Sequence, residues 1–220
     1  MAAGLKEERG LELGLYVITA ADAGRGRDHI DVVRAALAGG ADAVQLRDKE
    51  AAGGELYRLA LEALELVRES GGGPLFLVND RVDVALAAGA DGVHLGQEDL
   101  PASVARNILG AGAVLGVSAG SVEEALAAER EGADYLGVGP VFPTPSKPDA
   151  GEPLGLEGLR AIRRAVGLPL VAIGGINEEN LEGVFEAGAD GIAVISAVAS
   201  AWDMEEAVRR LRRAVDACRG

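Results

Sequence analysis

One short phrase, Gly-Ala-Asp, stands four times in this chain of 220 residues, at positions 40–42, 89–91, 132–134 and 188–190. Each copy closes an Ala-rich amphipathic stretch and opens a run of β-forming apolar residues, as a glycine helix terminator does when it feeds a strand directly. Helix followed at once by strand leaves no room for hairpins, so the repetition specifies parallel βα units. Eight apolar runs fit the scheme, at 15–19, 42–47, 74–79, 91–95, 113–117, 134–139, 168–173 and 190–195. Helical spacing of apolar residues fills the intervals, at 28–38, 53–69, 80–88, 101–109, 121–131, 155–166, 177–187 and 204–217. Eight such units without an evident reversal imply a closed (βα)₈ TIM barrel; an open doubly wound sheet is the competing architecture.

The length suits one such barrel, so residues 1–220 read as a single domain with a frayed amino terminus over 1–12. Aromatics make up only 3% of the chain, which predicts an interior filled by Val, Ile, Leu and Ala. A net charge of −14 repels nucleic acid and anionic membranes, and excludes both as expected partners. The first ten residues hold no continuous apolar run, so neither a secretory signal nor a membrane span is expected there. The single Cys218 cannot close an internal disulfide, and a cytoplasmic setting is the expectation. The same acidic field disfavours anionic substrates, so a phosphate site here needs a local cluster of cations and backbone amides.

Such a cluster is present where the strands end, which is where barrels of this kind keep their active sites. Gln45, Arg47 and Lys49 alternate with Val44 and Leu46, and period-two geometry turns the three polar groups to one side. An ion pair with Asp48 is the plainer explanation of one arginine; three aligned polar groups suit anion binding better. Asn79 and Asp80 close the third strand, and Asp99 follows the fourth. Each acid reads alone as a helix-start residue, but two carboxylates opposite basic groups make a Mg²⁺ site that phosphate oxygens and water complete. Gly174-Gly175 and Ser196 follow the seventh and eighth strands, where glycine backbone can direct N–H groups at a phosphate. Five prolines (140, 143, 145, 148 and 153) stiffen a long loop after the sixth strand, which reads as a binding lid carrying Thr144, Ser146 and Lys147. His94 fits a structural or a catalytic role equally, His29 reads as helix surface, and neither belongs to a zinc pattern.

In order and spacing, these residues resemble the thiamine phosphate synthase family. The resemblance runs from Tyr16-Val17-Ile18-Thr19 to Ile195-Ser196-Ala197 and rests on Gln45-Leu46-Arg47-Asp48-Lys49, Val78-Asn79-Asp80, the segment 92–99, Leu115-Gly116-Val117-Ser118, Gly137-Val138-Gly139-Pro140 and Ile173-Gly174-Gly175-Ile176. It implies a (βα)₈ barrel that joins hydroxymethylpyrimidine diphosphate to hydroxyethylthiazole phosphate, releasing pyrophosphate. Carried over by position, it implies that Gln45, Leu46, Arg47, Asp48, Lys49, Asn79, Ser118 and Lys147 bind the pyrimidine diphosphate. Arg47, Lys49 and Lys147 would be catalytic, Asp80 and Asp99 would hold Mg²⁺, and Thr144, Pro145, Ser146, Gly175, Ile195 and Ser196 would cradle the thiazole phosphate.

Two positions depart from the family pattern. Ala20 stands where Asp is usual, and Gly120 where His is common. A related thiazole tautomerase shares the barrel and uses a histidine in that loop as acid and base, so Gly120 favours the synthase. A catalytically silent sensor of thiamine phosphates is the alternative of a different class. Nothing in the residues specifies an oligomeric state.

Overall fold

The computed structural model describes residues 11–21, 25–71, 73–144 and 151–220. Its eight strands are β1 (Leu15–Ile18), β2 (Ala43–Leu46), β3 (Leu75–Asn79), β4 (Gly92–Leu95), β5 (Val114–Ala119), β6 (Tyr135–Val138), β7 (Leu170–Ile173) and β8 (Gly191–Val194). They pair in parallel, in chain order, and β8 returns to β1 to close the barrel. The helices are α1 (His29–Gly39), α2 (Gly53–Glu69), α3 (Val82–Ala88), α4 (Ala102–Leu109), α5 (Val122–Arg130), α6 (Gly155–Ala165), α7 (Leu181–Glu186), α8 (Ser196–Ala199) and α9 (Met204–Arg219). Closure rules out the open sheet.

The four Gly-Ala-Asp phrases do more than end helices. Gly40, Gly89, Gly132 and Gly188 sit at φ 84°, 73°, 91° and 100°. In each copy the alanine N–H then bonds back into the last helical turn, from Ala41, Ala90, Ala133 and Ala189 to Ala36, Ala85, Ala128 and Val184. The aspartate grips the preceding strand at two points. Its N–H donates to the carbonyl of Leu15, Phe76, Leu115 or Leu170, at 2.7–2.9 Å. Its carboxylate accepts the N–H of the same residue, at 2.7–2.8 Å. The phrase therefore precedes only β2, β4, β6 and β8 and locks each to its odd-numbered neighbour at the amino-terminal end of the barrel. Three of the four carboxylates also pair with arginines: Asp42 with Arg212, Asp134 with Arg106 and Asp190 with Arg163.

Two apolar layers result. Leu15, Val17, Val44 and Leu46 point outward among the helix residues, whereas Tyr16, Ala43, Leu77, Val114, Tyr135 and Val171 fill the interior. The composition-based expectation of an aliphatic interior is corrected here, because Tyr16, Tyr135, Gln45 and His94 also lie inside, each no more than 8% exposed. Glycines make the room: a Cβ on Gly116 would stand 2.2 Å from the Tyr135 ring and 2.5 Å from His94 Nδ1. Small residues on β5 and β6 thus admit large polar ones from their neighbours.

Boundaries differ from the sequence expectation in a few places. Asp28 caps α1 through a reciprocal pair of bonds with Asp31 and so precedes the helix. Pro101 stands at the N-cap of α4 rather than in its first turn. The helix expected from 177 begins at Leu181, because Asn180 donates to the Gly175 carbonyl and accepts the Asn177 N–H, holding residues 177–180 as a turn.

Candidate active site

A cavity of about 600 Å³ opens at the carboxyl ends of the strands. Arg47 and Lys49 from the β2 exit, Asn79 and Asp80 from β3, Asp99 from the β4 loop and Ser118 from β5 all line it. Thr144, Gly175, Ile195 and Ser196 complete the opposite side. The cations and the two acids therefore share one rim. Pro145, Ser146 and Lys147 lie outside the described residues.

Asp80 is the one non-glycine residue at positive φ among the described residues, at 60°. This left-handed turn lets its N–H donate to the His94 carbonyl at 2.9 Å while the side chain leaves the strand direction. Arg81, not Asp80, is the N-cap of α3, so helix capping does not account for this acid. Asp99 accepts the Gly96 N–H at 2.7 Å and meets Asp80 through a side-chain hydrogen bond. Burial and that contact push the Asp80 carboxyl up to about 6, against the pull of Lys49 and Arg47.

Gln45 lies deeper and starts a polar chain across the interior. Its Nε2 donates to the Tyr16 hydroxyl at 2.7 Å, and the Tyr16 and Tyr135 hydroxyls are 3.1 Å apart. Tyr135 reaches His94 Nδ1 at 2.9 Å, and His94 Nε2 reaches the Ser118 hydroxyl at 3.0 Å. With the amide nitrogen donating to Tyr16, every hydroxyl along the chain is used when Tyr16 gives its proton to Tyr135, Tyr135 gives its proton to Nδ1, and Nε2–H goes to Ser118. The Ser118 proton is then left for the cavity, and Gln45 Oε1 stays buried with no hydrogen-bond partner among the described residues. Leu46 and Asp48 stand apart from the cavity lining. Leu46 packs outward, and Asp48 accepts the N–H groups of Glu50 and Ala51.

The strand-end glycines have a steric reason. A Cβ on Gly175, at φ 66°, would come within 2.7 Å of the Pro143 carbonyl oxygen and 2.8 Å of Phe142 Cβ. The proline loop is anchored at both ends, with Val141 and Phe142 N–H groups on Ile173 and Gly174, and Leu154 and Gly155 N–H groups on Pro140 and Val141.

Sequence reasoning misplaced one histidine and passed over one acid. His29 is not on the helix surface but 6% exposed, between Thr19 and Asp48. Its place at the first position of α1 turns it toward the β1 and β2 exits. Glu124 lines the cavity and accepts the Gly120 N–H at 2.7 Å. Ser121 followed three residues later by Glu was the available signal for a carboxylate folded back over this turn.

Residues 15–198 match the family described as thiamine monophosphate synthase. The chain is 58% identical to the thiamine-phosphate synthase of Moorella thermoacetica, over 94% of this chain and 97% of that protein. It is 56% identical to the Chloroflexus aurantiacus enzyme of the same name, over 91% and 92%. Among solved structures, a thiamine phosphate pyrophosphorylase from Pyrococcus furiosus superposes with a TM-score of 0.86 at 50% identity, covering 95% of this chain and 98% of that one.

Proposed function

The chain belongs to the thiamine monophosphate synthase family, and from that premise we propose that it transfers a pyrimidinylmethyl group from hydroxymethylpyrimidine diphosphate to hydroxyethylthiazole phosphate. The products are thiamine phosphate and pyrophosphate. The observation that carries this reading is the meeting of Arg47, Lys49, Asp80 and Asp99 at one rim of the cavity, across from Gly175 and Ser196.

The carbon–oxygen bond to the diphosphate breaks, and the pyrimidine methylene carbon is captured by the thiazole nitrogen. That nitrogen attacks through its lone pair, so the new bond needs no general base. Arg47 and Lys49 meet the negative charge growing on the leaving group, with Lys147 as the further cation of the proline loop. Ser118, which accepts from His94, keeps its own proton to donate to the pyrimidine. Gln45 lies beneath the cavity, off its lining, and supports the pyrimidine side by anchoring the polar chain that ends at Ser118. Gly175, Ile195, Ser196 and Thr144 line the side that would take the thiazole phosphate, a role the family resemblance extends to Pro145 and Ser146. Departure of pyrophosphate leaves a pyrimidine methylene cation, and excluding water from the site would keep that cation from being trapped as an alcohol.

Asp80 and Asp99 suit Mg²⁺: they offer hard oxygens close enough to share a hydrogen bond. No group of three or more His, Cys, Asp or Glu is placed to hold a metal among the described residues, so phosphate oxygens and water would complete the shell. Held there, the ion would neutralise charge on the diphosphate. Among the described residues no helix is long and apolar enough to cross a membrane. A cytoplasmic setting is supported by the lone cysteine, and small phosphorylated molecules as partners by the cations Arg47 and Lys49 in the cavity.

A pyrophosphate-release assay with each substrate omitted in turn tests the reading. Release that needs both substrates is the expected result. Turnover of a thiazole carboxylate phosphate alone would place the chain with the tautomerase instead, and binding without release would make it a sensor.

A further inference from the structure

His29 spans two strand exits. Thr19 and His29 are 0% and 6% exposed, and the Thr19 hydroxyl lies 2.8 Å from His29 Nδ1. On the other side of the ring, Nε2 is 3.2 Å from Asp48 Oδ2. The Arg47 N–H donates to Thr19 Oγ1 at 3.1 Å, and Asp48 Oδ1 accepts the N–H groups of Glu50 and Ala51 at 2.9 and 3.0 Å. Burial pushes the Asp48 carboxyl up, but those two backbone donors together with the His29 ring outweigh it and hold it below the usual value. Every group is satisfied when Thr19 donates to Nδ1 and Nε2–H donates to Asp48. The reciprocal bonds of Asp28 and Asp31 fix the backbone from which the ring projects.

The segment held in this way, from Arg47 to Ala51, carries both described cations of the cavity. We propose that His29 is a positioning residue: its ring, strutted between Thr19 and Asp48, sets where Arg47 and Lys49 stand against the diphosphate. The proposal rests on the reading that these two side chains grip that group. The effect acts through the loop, since His29 is not among the residues that line the cavity. Removing the ring strands a buried hydroxyl and one carboxylate oxygen and lets the loop relax, and displacements of about 1 Å at a reacting centre cost up to about a hundredfold.

The test compares the wild type with His29→Ala, His29→Gln and Thr19→Val. Two readouts are taken: calorimetric binding of inorganic pyrophosphate, and steady-state kinetics in both substrates, each on samples with matched melting curves. Gln can accept from Thr19 and donate to Asp48, as the ring does. His29→Ala is expected to weaken pyrophosphate binding about tenfold or more and to lower kcat/KM for the diphosphate substrate. KM for the thiazole phosphate should stay within about twofold. Gln should recover most of the loss. Thr19→Val, which keeps the buried volume, should reproduce it and serves if His29→Ala does not fold. Unchanged pyrophosphate affinity in a folded His29→Ala, or in Thr19→Val, would overturn the proposal, as would a Gln variant no better than Ala. A wild type that binds pyrophosphate but releases none from its substrates would defeat the function and leave the strut to be judged on binding. The chain has only two histidines, so long-range ¹H–¹⁵N spectra give a further check. A proton on His29 Nε2 is required, and a ring protonated on Nδ1 alone would count against the strut.

Discussion

Asp80 pays for its orientation in backbone strain, and this is where a single side chain reveals function. A non-glycine residue at φ 60° costs about 1 kcal/mol, and its carboxyl also stands against Asp99. Asp80→Gly removes both penalties. Calorimetry should find its melting temperature equal to or above that of the wild type, while pyrophosphate release falls about a hundredfold, the usual effect of losing one charged contact in a transition state. A marked loss of stability would mean the acid serves the fold. The raised Asp80 carboxyl has a further consequence in pH. The folded chain holds this proton more tightly than the unfolded chain, whose carboxylates titrate near 4. The site therefore adds stability that is fully present at pH values below the unfolded value and is lost as pH rises through about 6. In metal-free buffer, urea unfolding at pH 5 and pH 7 should show the wild type losing stability over this interval relative to Asp80→Asn. Legibility at this scale was uneven. Arg47, Lys49, Asp80 and Asp99 could be read because strand alternation and strand ends constrain them directly. His29 could not, since whether the first residue of a helix meets solvent or a neighbouring loop depends on residues far from it in space, here Asp48.

At the level of elements, the barrel divides its labour between its two ends. The Gly-Ala-Asp clamps sit at the amino-terminal end, away from the cavity. Asp134 is representative, taking the Leu115 N–H at 2.8 Å and pairing with Arg106 at 2.7 Å. Asp134→Ala leaves the Leu115 N–H without its acceptor and takes the carboxylate from the Arg106 guanidinium, which keeps its carbonyl acceptors Gly110, Ala113 and Gly132, at a cost of about 1–3 kcal/mol. Urea titration should record that loss while kcat stays within about twofold at temperatures where the variant remains folded, because the carboxyl-end loops carry the chemistry. A large fall in kcat would link the two ends. The repeat itself was plain in the chain, and so were the strand positions, because apolar runs bounded by glycine and aspartate have few other readings. What the aspartates hold was not plain. A carboxylate before a strand looks like any exposed acid until the neighbouring strand's N–H is placed beside it.

For the molecule as a whole, the net charge of −14 implies self-repulsion that the surface ion pairs offset only in part, each exposed pair contributing about 0–1 kcal/mol. Raising NaCl from about 0.01 M to about 0.15 M should therefore raise the melting temperature; a fall would mean that the ion pairs dominate. The same charge concentrates function, because an anionic substrate is held only where Arg47, Lys49 and glycine-rich backbone overcome the field. By itself the sequence determined the parallel βα order, the ends of the strands and the family, since these follow from periodicity, terminators and local spacing along the chain. Closure of the barrel was already implied by the eight uninterrupted units, whereas the burial of His29 and the polar chain from Gln45 to Ser118 were decided only by tertiary structure. Each depends on which distant residues share a layer of the barrel, and on glycines such as Gly116 whose missing side chain matters only once Tyr135 lies against it.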